Sequence, residues 1–233
     1  AIIVGQGADR LTSITALRFV DSFAQAAFDF NFDLPTPPSP PVVEVGQLDN
    51  EITLNWGNES QVEYDEPGYG FEGYNVYQYS GADGSNPTRV ATYDVVNGVA
   101  LIFDDTFDPN QGVVINSPVA RGSDSGIQHY ARISQDNILG KALRNGKEYY
   151  FGVTAYSYGP DAVGGLRMLE SSATIHTVVP QKPTAGTDYA DGDSGVTLES
   201  VANREGLDAN VEPIVVDPSE TTGDTYRVDF YEI

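Results

Sequence analysis

Polar and apolar positions alternate most strictly over residues 149–155, where Tyr149, Phe151, Val153 and Ala155 are interleaved with Tyr150, Gly152 and Thr154. A period of two is that of a β-strand, so this run predicts a strand with one buried face. Residues 51–56 alternate in the same way, with Ile52, Leu54 and Trp56 on one side. Val42, Val43 and Val45 open a strand before them, and residues 74–79, 88–93, 127–133 and 171–179 add further strands. A continuous apolar run lies at residues 99–103. One segment has a different period: Ile14, Leu17, Val20, Phe23, Ala24, Ala27 and Phe28 recur every three or four residues, which predicts a single amphipathic helix packed on its own domain. Before it, the apolar run at residues 1–5 reads as a short buried strand.

Two features of this pattern resemble a known fold. Leu143 is followed by the turn Asn145-Gly146 and then by Tyr149 at the head of the alternating strand. That arrangement is similar to the tyrosine corner and following strand of a fibronectin type III domain, in which the tyrosine hydroxyl bonds back to the backbone near the turn. Trp56, the one tryptophan, ends the second strand and is expected at the centre of the core. The resemblance covers about residues 41–180 and implies an all-β, fibronectin type III/immunoglobulin-like β-sandwich. Such a domain is about 100 residues long, so the surplus falls in enlarged loops at residues 60–73 and 80–126.

Punctuation divides the chain further. Residues 35–41 are proline-dense and read as an extended linker, because proline fixes φ and removes a backbone donor. The expected organisation is therefore a strand and helix at residues 1–34, a linker at 35–41, the sandwich at 42–180 and an acidic, β-rich segment at 181–233. That last segment holds too few apolar residues to bury a core alone. It reads as an incomplete second domain, or as a partner for residues 1–33 or for another subunit.

Charge narrows the partners. Asp and Glu number 34 against 12 Lys and Arg, a formal net charge of -22, which repels nucleic-acid phosphates and anionic lipid. Gly 24, Pro 14, Tyr 14 and Phe 10 suit strands and tight turns. Without cysteine there is no disulfide, thiolate metal site or cysteine nucleophile. No run of about 18 apolar residues is present to span a bilayer as a helix.

Candidate chemistry is sparse. His129 and His176 both lie in predicted strands, and no GxSxG elbow, HExxH, P-loop or dinucleotide fingerprint occurs. Two aspartate clusters have the hard oxygen ligands that Ca²⁺ takes: Asp104, Asp105 and Asp108 with Asn110, and Asp188, Asp191 and Asp193 around Gly192. Neither follows the EF-hand spacing, and Asp is also a common turn residue. Tyr64, Tyr69 and Phe71 lie in an acidic, glycine-rich loop and are the aromatic candidates for stacking on a sugar or a partner chain.

The N-terminal helix, proline segment, enlarged domain and acidic tail together resemble large secreted multidomain surface proteins of bacteria that carry fibronectin type III-like modules. That resemblance implies an extracellular or cell-surface setting and a non-catalytic structural or assembly role, with self-association or contact with other modules of the same protein. Strand addition through Ile2, Ile3 and Val4, and through Tyr226, Val228 and Phe230, is the expected mode of contact. The competing expectation is a carbohydrate- or partner-binding module of an adhesin or enzyme.

Overall fold

The computed structural model describes residues 2–162, 166–200 and 211–229. In chain order its elements are α1 (Arg10–Asp29), β1 (Val43–Leu48), β2 (Glu51–Trp56), the single turn α2 (Glu59–Val62), β3 (Gly70–Tyr79), β4 (Thr88–Asp94), β5 (Leu101–Asp108), β6 (Val113–Arg121), β7 (Tyr130–Ile133), β8 (Gln135–Asp136), β9 (Lys141–Ala142), β10 (Tyr149–Tyr158), β11 (Met168–Glu170) and β12 (His176–Val178).

Two antiparallel sheets make the sandwich. One has the order β1-β2-β7; the other runs β11-β10-β3-β4, with β12 also paired to β10. Ile52, Leu54 and Trp56 from the first meet Tyr74, Val76, Phe151, Val153 and Ala155 from the second, joined by Ala131, Ile133 and Leu143. Each large apolar side chain buried in this way stabilises by about 1.5–3 kcal/mol. Trp56 sits at the centre as expected, its ring 5.6 Å from that of Tyr74 and 6.2 Å from that of Tyr93.

The tyrosine corner forms. Tyr149 is buried and its hydroxyl accepts a 2.9 Å hydrogen bond from the Arg144 backbone N–H. The turn beneath is fastened on both sides: the Asn145 carboxamide accepts from the Asn50 N–H at 2.8 Å and donates to Asp49 at 2.6 Å, while the Gly146 N–H donates to the Pro180 carbonyl.

β10 differs from expectation in being buried on both faces. Its second face is covered by neighbours that alternation could not reveal. Tyr156 packs with Ile102 and Ala120 of the β5–β6 hairpin, and Thr154 donates to the Glu170 carboxylate at 2.5 Å. Its outer edge is shared by β11 and β12, with a break at Ser171, whose hydroxyl accepts from the Ala155 N–H at 3.0 Å. The expected strand at residues 171–179 thus shortens to β12.

The ends of the chain depart most from the reading. Residues 2–7 form no strand: Ile2 and Val4 are 94% and 78% exposed, Ile3 is half-buried, and the segment runs back along α1, where the Gly7 N–H donates to the Ser13 hydroxyl at 3.1 Å. Among the described residues no strand pairs with the apolar run, so its period goes unused. The proline segment is not a free spacer. Pro38 and Pro41 are buried, and Thr36 donates to Glu66 from both its N–H and its hydroxyl, at 3.0 and 2.9 Å.

The acidic C-terminal segment lies on the outer side of the β1-β2-β7 sheet. The Gly195 N–H donates to the Val215 carbonyl at 2.7 Å, and the Val215 N–H donates back to Val196 at 2.9 Å. Ser194 donates to Glu51 at 2.6 Å, and Glu51 also pairs with Arg132 at 3.1 Å. Tyr226 and Val228 are exposed and outside any strand, and Phe230 lies outside the described residues.

Candidate functional site

α1 is the predicted amphipathic helix. Asp9 caps it: its carboxylate accepts from the Thr12 N–H at 2.8 Å, and the Thr12 hydroxyl accepts from the Asp9 N–H at 2.8 Å. The helix rests on β6, and only Ala16 is fully buried. Ile14, Leu17 and Val20 remain about two-fifths exposed, because the hairpin beneath is too narrow to cover a whole helix face.

That hairpin, β5 paired with β6, stands apart from both sheets. Its turn is closed by Asp108, whose carboxylate accepts from the Asn110 N–H at 2.8 Å and from the Gln111 N–H at 3.3 Å. Gly112 follows at φ 68°, pressed against the Thr12 side chain where no Cβ would fit. Leu101, Phe103, Val113, Val114, Ile115 and Val119 are exposed along the ribbon. Between it and α1 lies a cleft of about 220 Å³, lined by Phe19, Phe23, Asp104, Asp105, Asn116 and Arg167. Phe19 and Phe23 meet edge to face at 5.0 Å.

The members of the first aspartate cluster are each engaged by a different partner. Asp104 and Asp105 both border the cleft, yet their carboxylates are taken by different donors. Asp104 accepts from the Arg167 backbone N–H at 2.8 Å, Asp105 from the Asn116 amide at 3.1 Å, and Asp108 is spent on the turn. In the second cluster Asp191 accepts from the Gly223 N–H at 3.1 Å, while Asp188 and Asp193 are exposed. Among the described residues no three carboxylate or imidazole groups converge on a cation position.

The aromatic loop candidates are turned inward. The Tyr64 hydroxyl donates to the Thr36 carbonyl at 3.1 Å and accepts from the Ser157 hydroxyl at 2.9 Å, and the Tyr69 hydroxyl donates to the Leu166 carbonyl at 2.6 Å. Phe71 packs against the core, 5.1 Å from Tyr74. These rings hold loops down and do not form an open stacking platform. Burial holds both tyrosine hydroxyls above the usual phenol range.

Both histidines are partly buried with Nε2 lacking a hydrogen-bond partner, and burial holds each imidazole below its ordinary value. His129 stacks edge-on against Tyr74 at 5.6 Å, and burial, with Glu59 nearby, pushes the Tyr74 phenol up to about 12.

Two polar clusters escaped sequence reading. Asp136 is buried and accepts from Gln78 at 3.0 Å, from the Ile138 and Leu139 N–H groups, and from Lys147 at 3.0 Å. Burial pushes its carboxyl up, but these donated bonds outweigh it and hold the group below the usual range. The second joins Glu72 on β3 to Asp94 at the end of β4, both buried. The only signal for it in the sequence is a lone glutamate inside the strongly aromatic strand of residues 70–79.

A scan of family models matches none, and a search of curated proteins finds no relative. Among solved structures, the fourth fibronectin type III domain of a human protein aligns over 66% of this chain and 90% of its own, at 14% identity and TM-score 0.31. Superoxide reductase from Nanoarchaeum equitans aligns over 60% and 93%, at 10% identity and TM-score 0.27. Likeness this distant carries no argument about activity. The fibronectin type III-like sandwich rests instead on the strand order and the formed tyrosine corner of this chain.

Proposed function

We propose that this chain is a non-catalytic structural module of an extracellular or cell-surface assembly, and that its contacts run through the β5–β6 hairpin. The observation that carries the reading is the hairpin itself. Among the described residues its two strands pair only with each other, so each presents an outer edge of unused backbone groups there, and apolar side chains flank those edges on both strands. Such an edge accepts a further strand with little demand on its sequence. The setting outside the cell is supported by the resemblance of the chain's organisation to secreted bacterial surface proteins. The expected role of Ile2, Ile3 and Val4 moves to Val113, Val114 and Ile115, because the N-terminal residues lie along α1.

Sedimentation velocity over a concentration series tests this. Self-association in the wild type that disappears in Val114→Lys, with the circular dichroism spectrum unchanged, is the expected result. A monomer at every concentration removes self-assembly from the reading.

A second reading, a carbohydrate- or partner-binding module, is favoured by the cleft between α1 and the hairpin. Two aromatic rings, two carboxylates, an amide and a guanidinium around about 220 Å³ are groups that hold a sugar or a cationic side chain. Glycan-array binding that is lost in Phe23→Ala would support it, and an array without a hit would remove the sugar.

A further inference from the structure

Both ends of the hairpin are tied to the sandwich at one place, and that place is acidic. Glu72 precedes Gly73, which pairs with Asp94 across β3 and β4. At the entry to the hairpin, the Val95 N–H donates to the Glu72 carbonyl at 2.8 Å, and the Asn97 amide donates to the Glu72 carboxylate at 3.0 Å. The Asn97 and Gly98 N–H groups then donate to Asp124, at 2.8 and 3.0 Å. At the exit, Asp94 accepts from the Ser123 N–H at 3.2 Å and from the Asp124 N–H at 3.0 Å, and the Gly126 N–H donates to the Asp94 carbonyl. Gly122 lies so close to the Asp94 carboxylate that a side chain there would displace it.

Charge balance at this site is unusual. Glu72 is 3% exposed, Asp94 has no exposed surface, and among the described residues neither has an ion-pair partner. One Glu72 carboxylate oxygen, Oε1, is buried with no hydrogen-bond partner. The groups around the pair are Asp124 from the exit turn, Asn97 from the entry, and Tyr156 from β10. Tyr156 in turn feels Arg89 of β4 and Glu170 of β11. Burying a carboxylate without a cation or a full set of donors is expensive, and the usual escape is to take up a proton.

We propose that Glu72 carries a proton in the closed structure, so that the base of the β5–β6 hairpin is a latch that closes on protonation and loosens when the proton leaves. The proton relieves repulsion with Asp94 and Asp124 and removes the charge from the orphaned, buried oxygen. Burial is the largest influence holding the Glu72 carboxyl above its ordinary range; Asp94 and Asp124 add to it, and the bond from Asn97 opposes it. A raised folded-state value means stability present in full below the unfolded glutamate value, about 4.3, and lost as pH rises through the folded value. Acid therefore tightens the hairpin and base frees it. This holds whether or not the hairpin is an assembly surface.

Hydrogen exchange at Asn97, Gly98, Ser123 and Asp124 reads the latch directly, after correction for the intrinsic pH dependence of exchange. In the wild type these amides should lose protection by up to about tenfold per pH unit between the unfolded glutamate value of about 4.3 and the Glu72 midpoint, and level off above it, while Val153 and Thr154 in β10 stay protected. Glu72→Gln, which keeps the shape of the neutral acid, should hold the four amides protected across the range. Equal pH profiles in wild type and Glu72→Gln would overturn the proposal. So would a Glu72 side-chain carbon titrating by NMR at or below about 4.3 in the intact wild type, a measurement that does not depend on any variant folding. Protection restored at pH 8 by millimolar Ca²⁺ in the wild type, but unchanged by it in Glu72→Gln, would also overturn it, in favour of a cation held by the same carboxylates.

Discussion

Tyr149 shows how one side chain fixes a local geometry. Its hydroxyl is the partner of the Arg144 N–H, and the Lys147 ammonium lies 4.5 Å above its ring. Tyr149→Phe keeps the apolar ring in the core and takes the partner from the part-buried Arg144 N–H, so it should lower stability by about 0.5–1.5 kcal/mol in urea unfolding, with little change in m-value. A loss below a few tenths of a kcal/mol would mean that water replaces the hydroxyl. The two histidines make a pH prediction of the same local kind. Burial lowers both imidazoles, so the folded state resists their protonation, and stability should fall as pH drops below the unfolded value of about 6.5. Glu72 acts in the opposite direction, so the measurement belongs in the Glu72→Gln background. There the thermal midpoint should drop between pH 6.5 and 5, and the double substitution His129→Leu and His176→Leu should flatten that segment.

At the scale of elements, what sequence reveals depends on whether the partner of an element is local. β2 and the inner face of β10 were legible because their periods report a buried face, and Trp56 and Tyr149 because each has one good place in such a sandwich. α1 was legible from its own period, yet its packing was not, since the hairpin that receives it begins some 70 residues later. β6 went unread because Asn116, Ser117 and Pro118 interrupt its alternation, and the second buried face of β10 because Ile102, Ala120 and Glu170 arrive from distant segments. The aspartate clusters misled for a related reason: proximity in sequence does not show that a distant donor, the Arg167 N–H or the Asn116 amide, will take each carboxylate separately. Gly112 tests how the helix is held. Its positive φ and its contact with Thr12 leave no space for a side chain, so Gly112→Val should release α1 from the hairpin tip. Backbone amides of α1 should then exchange at least about tenfold faster, while those of β2 and β10 stay as in the wild type. Unchanged exchange in α1 would place its anchorage elsewhere, at Ala16.

For the molecule as a whole, the formal charge of -22 dominates. Four ion pairs join described residues to one another, and with 34 acidic residues against 12 basic ones most carboxylates have no basic residue to balance them. Self-repulsion of this kind weakens the compact state and is relieved by screening, whose length falls from about 30 Å at 0.01 M salt to about 10 Å at 0.1 M. The thermal midpoint should therefore rise with NaCl over that range. The same reasoning separates screening from site binding. A cation held by Asp104, Asp105 and Asp108, or by Asp188, Asp191 and Asp193, would raise the midpoint by mass action at concentrations far too low to screen. Screening alone depends on ionic strength and scarcely on which divalent ion supplies it. Because each member of the first cluster already accepts from its own donor, and two members of the second are exposed to solvent, Ca²⁺ and Mg²⁺ should raise the midpoint equally at matched ionic strength. A rise specific to micromolar Ca²⁺ would show that the carboxylates reorganise around the ion, and Asp188→Asn and Asp193→Asn would then identify the cluster responsible.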